Sequence, residues 1–95
     1  MALRLTRQAE QDLDDIYVDS AGQFGLRQAA HYGDSLDACL NLLATHPFMA
    51  RERTELTGSV RVHAHGSHLV VYEIERGDVV VLRVLHQRCD WEGMI

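Results

Sequence analysis

Arginine and histidine carry most of the chemical potential of this chain. The run Val79 to Leu85, VVVLRVL, holds six apolar residues interrupted by Arg83, and it is followed at once by His86, Gln87, Arg88, Cys89 and Asp90. A guanidinium there could balance phosphate charge while an imidazole, whose ordinary pKa lies near neutrality, moves a proton. Arg61, in the alternating segment VRVHAH, is a second cation of the same kind. His63, His65 and His68 fall within six residues. The first two share a strand face, so two of these imidazoles could ligate one ion, with His86 or Glu73 as the third ligand. Strand histidines are more often satisfied or exposed residues, and no metal or other cofactor is assigned. Asp12, Asp15 and Asp19 form one helical stripe that could bind a divalent cation, but a solvated acidic face is the commoner outcome and no chemistry is assigned to it.

Composition narrows the choices. All nine basic residues are arginine, so any basic chemistry must use a group that stays protonated and cannot act as a general base near neutral pH. A net charge of −5 argues against a sequence-independent nucleic-acid binder, which draws its affinity from neutralising phosphates. Cys39 and Cys89 match no CxxC spacing, and both are expected as reduced thiols. No window approaches the roughly 20 apolar residues that span a bilayer, and the start MALRLTRQAEQ is not a signal peptide, so a cytoplasmic protein without membrane contact is expected. At 95 residues with 46% apolar content, residues 1–95 are expected to form one domain around one core.

The elements that must position these residues follow from periodicity. After a short apolar start, Ala2 to Leu5, Thr6 offers a helix N-cap oxygen, and apolar residues recur at Ala9, Leu13, Ile16, Tyr17 and Phe24. Gly22 and Gly25 interrupt this pattern, and a second helical period runs from Leu26 through Ala29, Gly33, Leu36, Leu40 and Leu43 until Pro47 stops it. Two antiparallel helices follow from so short a connection, with Gly33 expected where their backbones approach closely. PFMARERTELTGS reads as a loop. The period then changes to two in VRVHAH, SHLVVYEIE and VVVLRVL, with Arg76-Gly77-Asp78 as a hairpin turn. The fold class is α+β, in the order β-α-α-β-β-β, with a helical hairpin packed on a small antiparallel sheet.

A three-residue turn would pair Ile74 with Val80 and Tyr72 with Leu82 on the core side. Arg83 would then share the helix-free face with Arg61, Glu73 and Val81, next to Val71 and Leu85, whereas a two-residue turn would shift the register. On that face Arg61 and Arg83 either pair with Glu73 or Glu55, or belong to an interaction surface that mixes arginine with apolar side chains.

The segments LTRQAEQDLDDIY, GSVRVH, GSHLVVYEI and VLRVLHQRCD, in this order and spacing from Leu5 to Asp90, resemble the ParE group of the RelE/ParE toxins. The resemblance implies the toxin half of a bacterial type II toxin-antitoxin pair. A ParD-like antitoxin would wrap the toxin with its C-terminal segment, and operator DNA would be met only through the antitoxin. ParE-like members poison DNA gyrase; RelE-like members cleave mRNA on the ribosome with lysines, arginines and a C-terminal tyrosine. Here Arg61 and Arg83 match the arginine positions, but there is no lysine, and Cys89, Asp90 and Trp91 stand where a tyrosine would be expected. The departures favour a gyrase poison with no catalytic residues. The alternatives are a RelE-like nuclease using Arg61, Arg83 and His86, and a non-toxic module that only binds the antitoxin. The expected target or partner surface is Arg61, Glu73, Arg83, His86 and Arg88, and the expected apolar antitoxin contacts are Cys39, Leu42, Val71 and Leu85.

Overall fold

The computed structural model describes residues 2–53 and 60–88. Glu55, Cys89, Asp90 and Trp91 lie outside the described residues. The elements are β1 (Leu3–Leu5), α1 (Arg7–Phe24), α2 (Leu26–Thr45), β2 (Glu52–Arg53), β3 (Val60–His65), β4 (His68–Glu75) and β5 (Asp78–His86). The expected order is present, with a two-residue strand added inside the segment read as a loop. The sheet runs β1-β5-β4-β3-β2; β1 lies parallel to β5, and the remaining pairs are antiparallel.

Thr6 starts α1 as its type suggests. Its hydroxyl oxygen accepts from the Ala9 amide at 3.0 Å, filling one of the unpaired donors of the first turn. Gly22 sits within α1, and the break falls at Gly25 alone, at φ 90°. The helix α2 ends at Thr45, two residues before Pro47, with His46 as its cap. Ala9 and Ala29 are buried, consistent with a tight helix pair. Gly33 is a correction, because a Cβ built there would meet only the Tyr17 ring, at 4.0 Å, which is ordinary contact rather than backbone approach.

The β4–β5 turn has two residues. Glu75 pairs with Asp78 and Ile74 with Val79, while Arg76 (φ 53°) and Gly77 (φ 82°) both adopt the left-handed conformation that a tight hairpin of this length requires. The register is therefore one residue from that of a three-residue turn. Tyr72 pairs with Val81 rather than Leu82, and Val81 enters the main core with Val70, Tyr72 and Val79 instead of facing away from the helices. A register shift follows between Val71 and Tyr72, where Tyr72 pairs with Val81 but Val71 pairs with Arg83. Strict alternation from Val79 and Val81 would deliver Arg83 to the next core position. The bulge gives that position to Val84, which joins the main core, while Leu85 packs with Val60 and Val71 in a second cluster.

The helical hairpin covers the main core through Ala9, Cys39, Leu40 and Leu43, with Leu13 and Ile16 at its margin. Because Gly33 lies in a helix interior with room for a methyl group, Gly33→Ala is expected to raise stability by about 1 kcal/mol in urea unfolding. Gly66→Ala should act the other way, since Gly66 has φ 54° and its Cβ would lie 2.7 Å from the Tyr32 hydroxyl.

Candidate functional site

Asp12 occupies the junction of α1 with β5. It follows Ala9 by three residues and precedes Ile16 by four, so it lies on the buried stripe of α1 rather than on a solvated face. Its Oδ2 accepts from Arg83 Nε at 2.8 Å and from the Val84 amide at 2.9 Å, and its Oδ1 accepts from Arg83 Nη2 at 3.0 Å. Asp15 and Asp19 are exposed, as expected of that stripe. Arg83 stands opposite Val71 in the register, off the main-core side as expected, but its guanidinium is held in a two-point ion pair by the first helix.

Arg61 is bound elsewhere. Its Nη1 donates to the Ala50 carbonyl at 2.7 Å, its Nη2 lies 3.8 Å from Glu52, and its guanidinium sits 5.0 Å from the Phe48 ring centroid. The neighbouring strand residue Tyr72 donates its hydroxyl to the Pro47 carbonyl at 2.7 Å. Together they fasten the segment after α2 to the sheet. Burial pushes the Tyr72 phenol up, so it stays protonated and able to donate. β3 and β5 are separated by β4, about 10 Å in strand spacing, and the two arginines are engaged toward opposite edges of the sheet. They do not converge on one phosphate-sized site.

A third group of polar side chains meets where the β3–β4 turn docks on α2. Tyr32 Oη lies 2.7 Å from His68 Nδ1 and 3.3 Å from the His65 carbonyl, and it accepts from the Ser67 amide at 3.3 Å. Ser35 Oγ lies 3.0 Å from His65 Nε2. The His68 and His86 rings meet edge to face with centroids 5.4 Å apart. His86 and Arg88 are exposed, and Glu73 is half-buried. His63 pairs with Val70, two residues along the strand from the His65–His68 pair, and among the described residues no three His, Cys, Asp or Glu side chains are grouped to hold a metal ion. Tyr32, Ser35 and Asp12 are the participants that sequence reasoning missed. Asp12 alone left a clear trace, as an acid on the apolar stripe.

His68 and His86 form one wall of a cleft of about 800 Å³ between α1, the start of α2 and the ends of β4 and β5. Asp15 and Asp19 line its α1 side, with Ile16 and Phe24 as apolar surface and Tyr32, His68 and His86 opposite. Of the four apolar positions expected at a partner surface, Leu42 is exposed, whereas Cys39, Val71 and Leu85 are buried. Cys39 follows Leu36 by three residues and shares its inward face; Val71 and Leu85 are consumed by the second core cluster.

The fold is similar to that of a solved structure, a chromosomal ParDE TA system from P. aeruginosa. That match has a TM-score of 0.77 at 22% identity, covering 90% of this chain and 95% of the other. The family model for the ParE toxin of the type II toxin-antitoxin system, parDE, matches residues 3–91. Toxin ParE1 of Caulobacter vibrioides is 42% identical over 84 residues, spanning 88% of this chain and 86% of that one. Toxin ParE1 of Mycobacterium tuberculosis is 31% identical over 87 residues, spanning 90% and 89%. The chain belongs to the ParE toxin family, the toxin half of a type II toxin-antitoxin system.

Removing one member of the Asp12–Arg83 pair strands the other in a largely water-free position. Arg83→Ala is expected to cost about 3 kcal/mol in chemical denaturation. Asp12→Ala should cost at least as much, because the Val84 amide also loses its acceptor. An unfolding midpoint unmoved in both variants would mean that this junction does not hold α1 to the sheet.

Proposed function

We propose that this toxin acts by binding DNA gyrase rather than by cutting RNA, and that a ParD-like antitoxin silences it in the cytoplasm by seating a segment in the cleft beside α1. The observation that carries the first half is the commitment of both family-position arginines: Arg61 braces the segment after α2, and Arg83 braces α1. A ribonuclease centre needs cations directed at a scissile phosphate together with an acid and a base, and these two cations are directed at a protein carbonyl and a protein carboxylate instead. Loss of toxicity in an Arg83 variant would then follow from loss of fold, not from loss of a chemical step.

Family membership supports an antitoxin partner, and the chemistry of the cleft supports the seat. Its exposed carboxylates, Asp15 and Asp19, flank apolar surface from Ile16 and from Phe24, which is 67% exposed. A basic amphipathic segment would satisfy both, burying apolar side chains while its cations meet the acidic lip. Operator DNA would be met through the antitoxin, since the toxin carries a net charge of −5. Among the described residues no helix is long and apolar enough to cross a membrane.

A supercoiling reaction with gyrase, relaxed plasmid, ATP and antitoxin-free toxin is expected to show inhibition, with linear plasmid after detergent quenching. Full supercoiling beside mRNA cleavage on ribosomes would overturn the gyrase reading. For the seat, Asp15→Arg is expected to weaken the cognate antitoxin's binding about tenfold in calorimetry, more at low salt than at high salt. Affinity unaffected by the reversed charge would place the antitoxin elsewhere.

A further inference from the structure

The β3–β4 turn is docked on α2 by a small number of contacts, and nearly all of them involve a titratable ring. The Tyr32 ring lies against Gly66 so closely that a Cβ would lie 2.7 Å from its hydroxyl and 2.9 Å from its ring. The hydroxyl takes the Ser67 amide as donor and faces His68 Nδ1 at 2.7 Å and the His65 carbonyl at 3.3 Å. With a single proton to give, a neutral phenol donates either to Nδ1, when His68 carries its proton on Nε2, or to the His65 carbonyl, when Nδ1 carries a proton and donates to the phenol oxygen. A second proton on His68 makes Nδ1 the donor into the phenol oxygen and sends the Tyr32 proton to the more distant His65 carbonyl, so the contact is kept and the cost lies in the charge itself. It places a full charge edge-on to the His86 ring and beside the His65 ring, which is 6.0 Å from that of Tyr32.

We propose that Tyr32, His68 and His86 form a pH-sensitive latch: it holds the β3–β4 turn on α2 at neutral pH and loosens on acidification, opening the wall of the cleft that seats the antitoxin. The second half rests on the cleft being that seat; the first is a property of the toxin alone.

The groups that face His68 set the direction. Burial lowers its pKa most, and His86 from β5 and His65 from β3 lower it further, while Asp19 on α1 raises it by less. Tyr32 on α2 is held above its ordinary value chiefly by burial, so it remains a donor throughout the neutral range. His68 thus protonates more readily in the unfolded or undocked turn than in the docked one. Its contribution is complete above the ordinary histidine value of 6.5 and is lost as pH falls from there through the depressed folded value.

The test uses amide hydrogen exchange on the free, full-length toxin at about pH 7.5 and about pH 5.5, corrected for intrinsic exchange rates, with Ser67 and His68 as reporters. Protection there is expected to fall about tenfold at the lower pH while the β5 amides keep theirs. His68→Asn, which keeps an acceptor near the Nδ1 position but does not titrate, should remove the pH dependence, and Tyr32→Phe should give low protection at both pH values. Equal wild-type protection at the two pH values, or a fall that persists in His68→Asn, would overturn the latch. Calorimetry with the antitoxin is then expected to show affinity falling with pH for the wild type and holding for His68→Asn; a parallel fall in both would overturn the link to the cleft. Failure of the seat itself would show separately, as an antitoxin indifferent to Asp15→Arg.

Discussion

The fold depends on how β5 is completed after β1 runs out. β1 has three residues and ends where Thr6 begins α1, yet β5 continues to His86. The backbone groups of β5 beyond Val81 would face an empty edge, and buried unpaired amides and carbonyls are costly. The first helix supplies the missing partners. The Thr6 amide donates to the Val81 carbonyl at 3.0 Å, its hydroxyl donates to the Leu82 carbonyl at 2.8 Å, and Asp12 accepts from the Val84 amide. Two successive carbonyls reaching the same neighbour is what a bulge produces and regular pleating does not. The bulge therefore releases Arg83 from the core side and also turns the strand's backbone toward Thr6 and Asp12.

The second brace, toward the other edge of the sheet, follows the same logic. Pro47 and Ala50 leave carbonyls after the end of α2, and Tyr72 and Arg61, paired across β3 and β4, donate to them. The two arginines at the family's positions complete backbone hydrogen bonding and helix docking, adding to what the core buries in a small domain. The cleft adjoins the first brace directly, since Asp12 and Val84 lie in its lining beside the acidic lip and the histidine wall.

Periodicity made the elements legible, because each helix and strand buries one face and the sequence alternates accordingly. Thr6 was readable as a cap, and Pro47 as a stop. The register of β5 was not. A turn of Arg-Gly-Asp admits two or three residues, and the bulge that follows depends on tertiary partners, Thr6 and Asp12, lying more than 70 residues away in sequence. Only the stretch between the turn and the bulge departs from the three-residue register: Val81 moves to the core side. The bulge returns Arg83 to its place opposite Val71, where it is drawn to Asp12, and keeps Leu85 with Val71, where the two apolar residues pack in the second core cluster. Asp12 was readable in principle, as a carboxylate on an apolar stripe calls for a cation; its partner could not be named without the register. Tyr32 and Ser35 carried no periodic signal, because a hydrogen bond across the fold to a histidine turn leaves none.

Because α1 is at once the inner brace of β5 and a wall of the cleft, occupancy of the proposed seat would be coupled to stability. Asp12 faces inward to Arg83 from the same helix that presents Asp15 and Asp19 outward. A segment seated against the outer face would press α1 onto β5 and oppose any opening of the Asp12–Arg83 junction. Binding to the folded state alone adds RT ln(1 + [L]/Kd), about 4 kcal/mol at a ligand concentration a thousandfold above Kd, which is a large share of the stability of a domain this size. Neutralisation and stabilisation would then be one event. A toxin deprived of its antitoxin would be both released and more readily unfolded, with the α1–β5 junction as the place where the two effects meet.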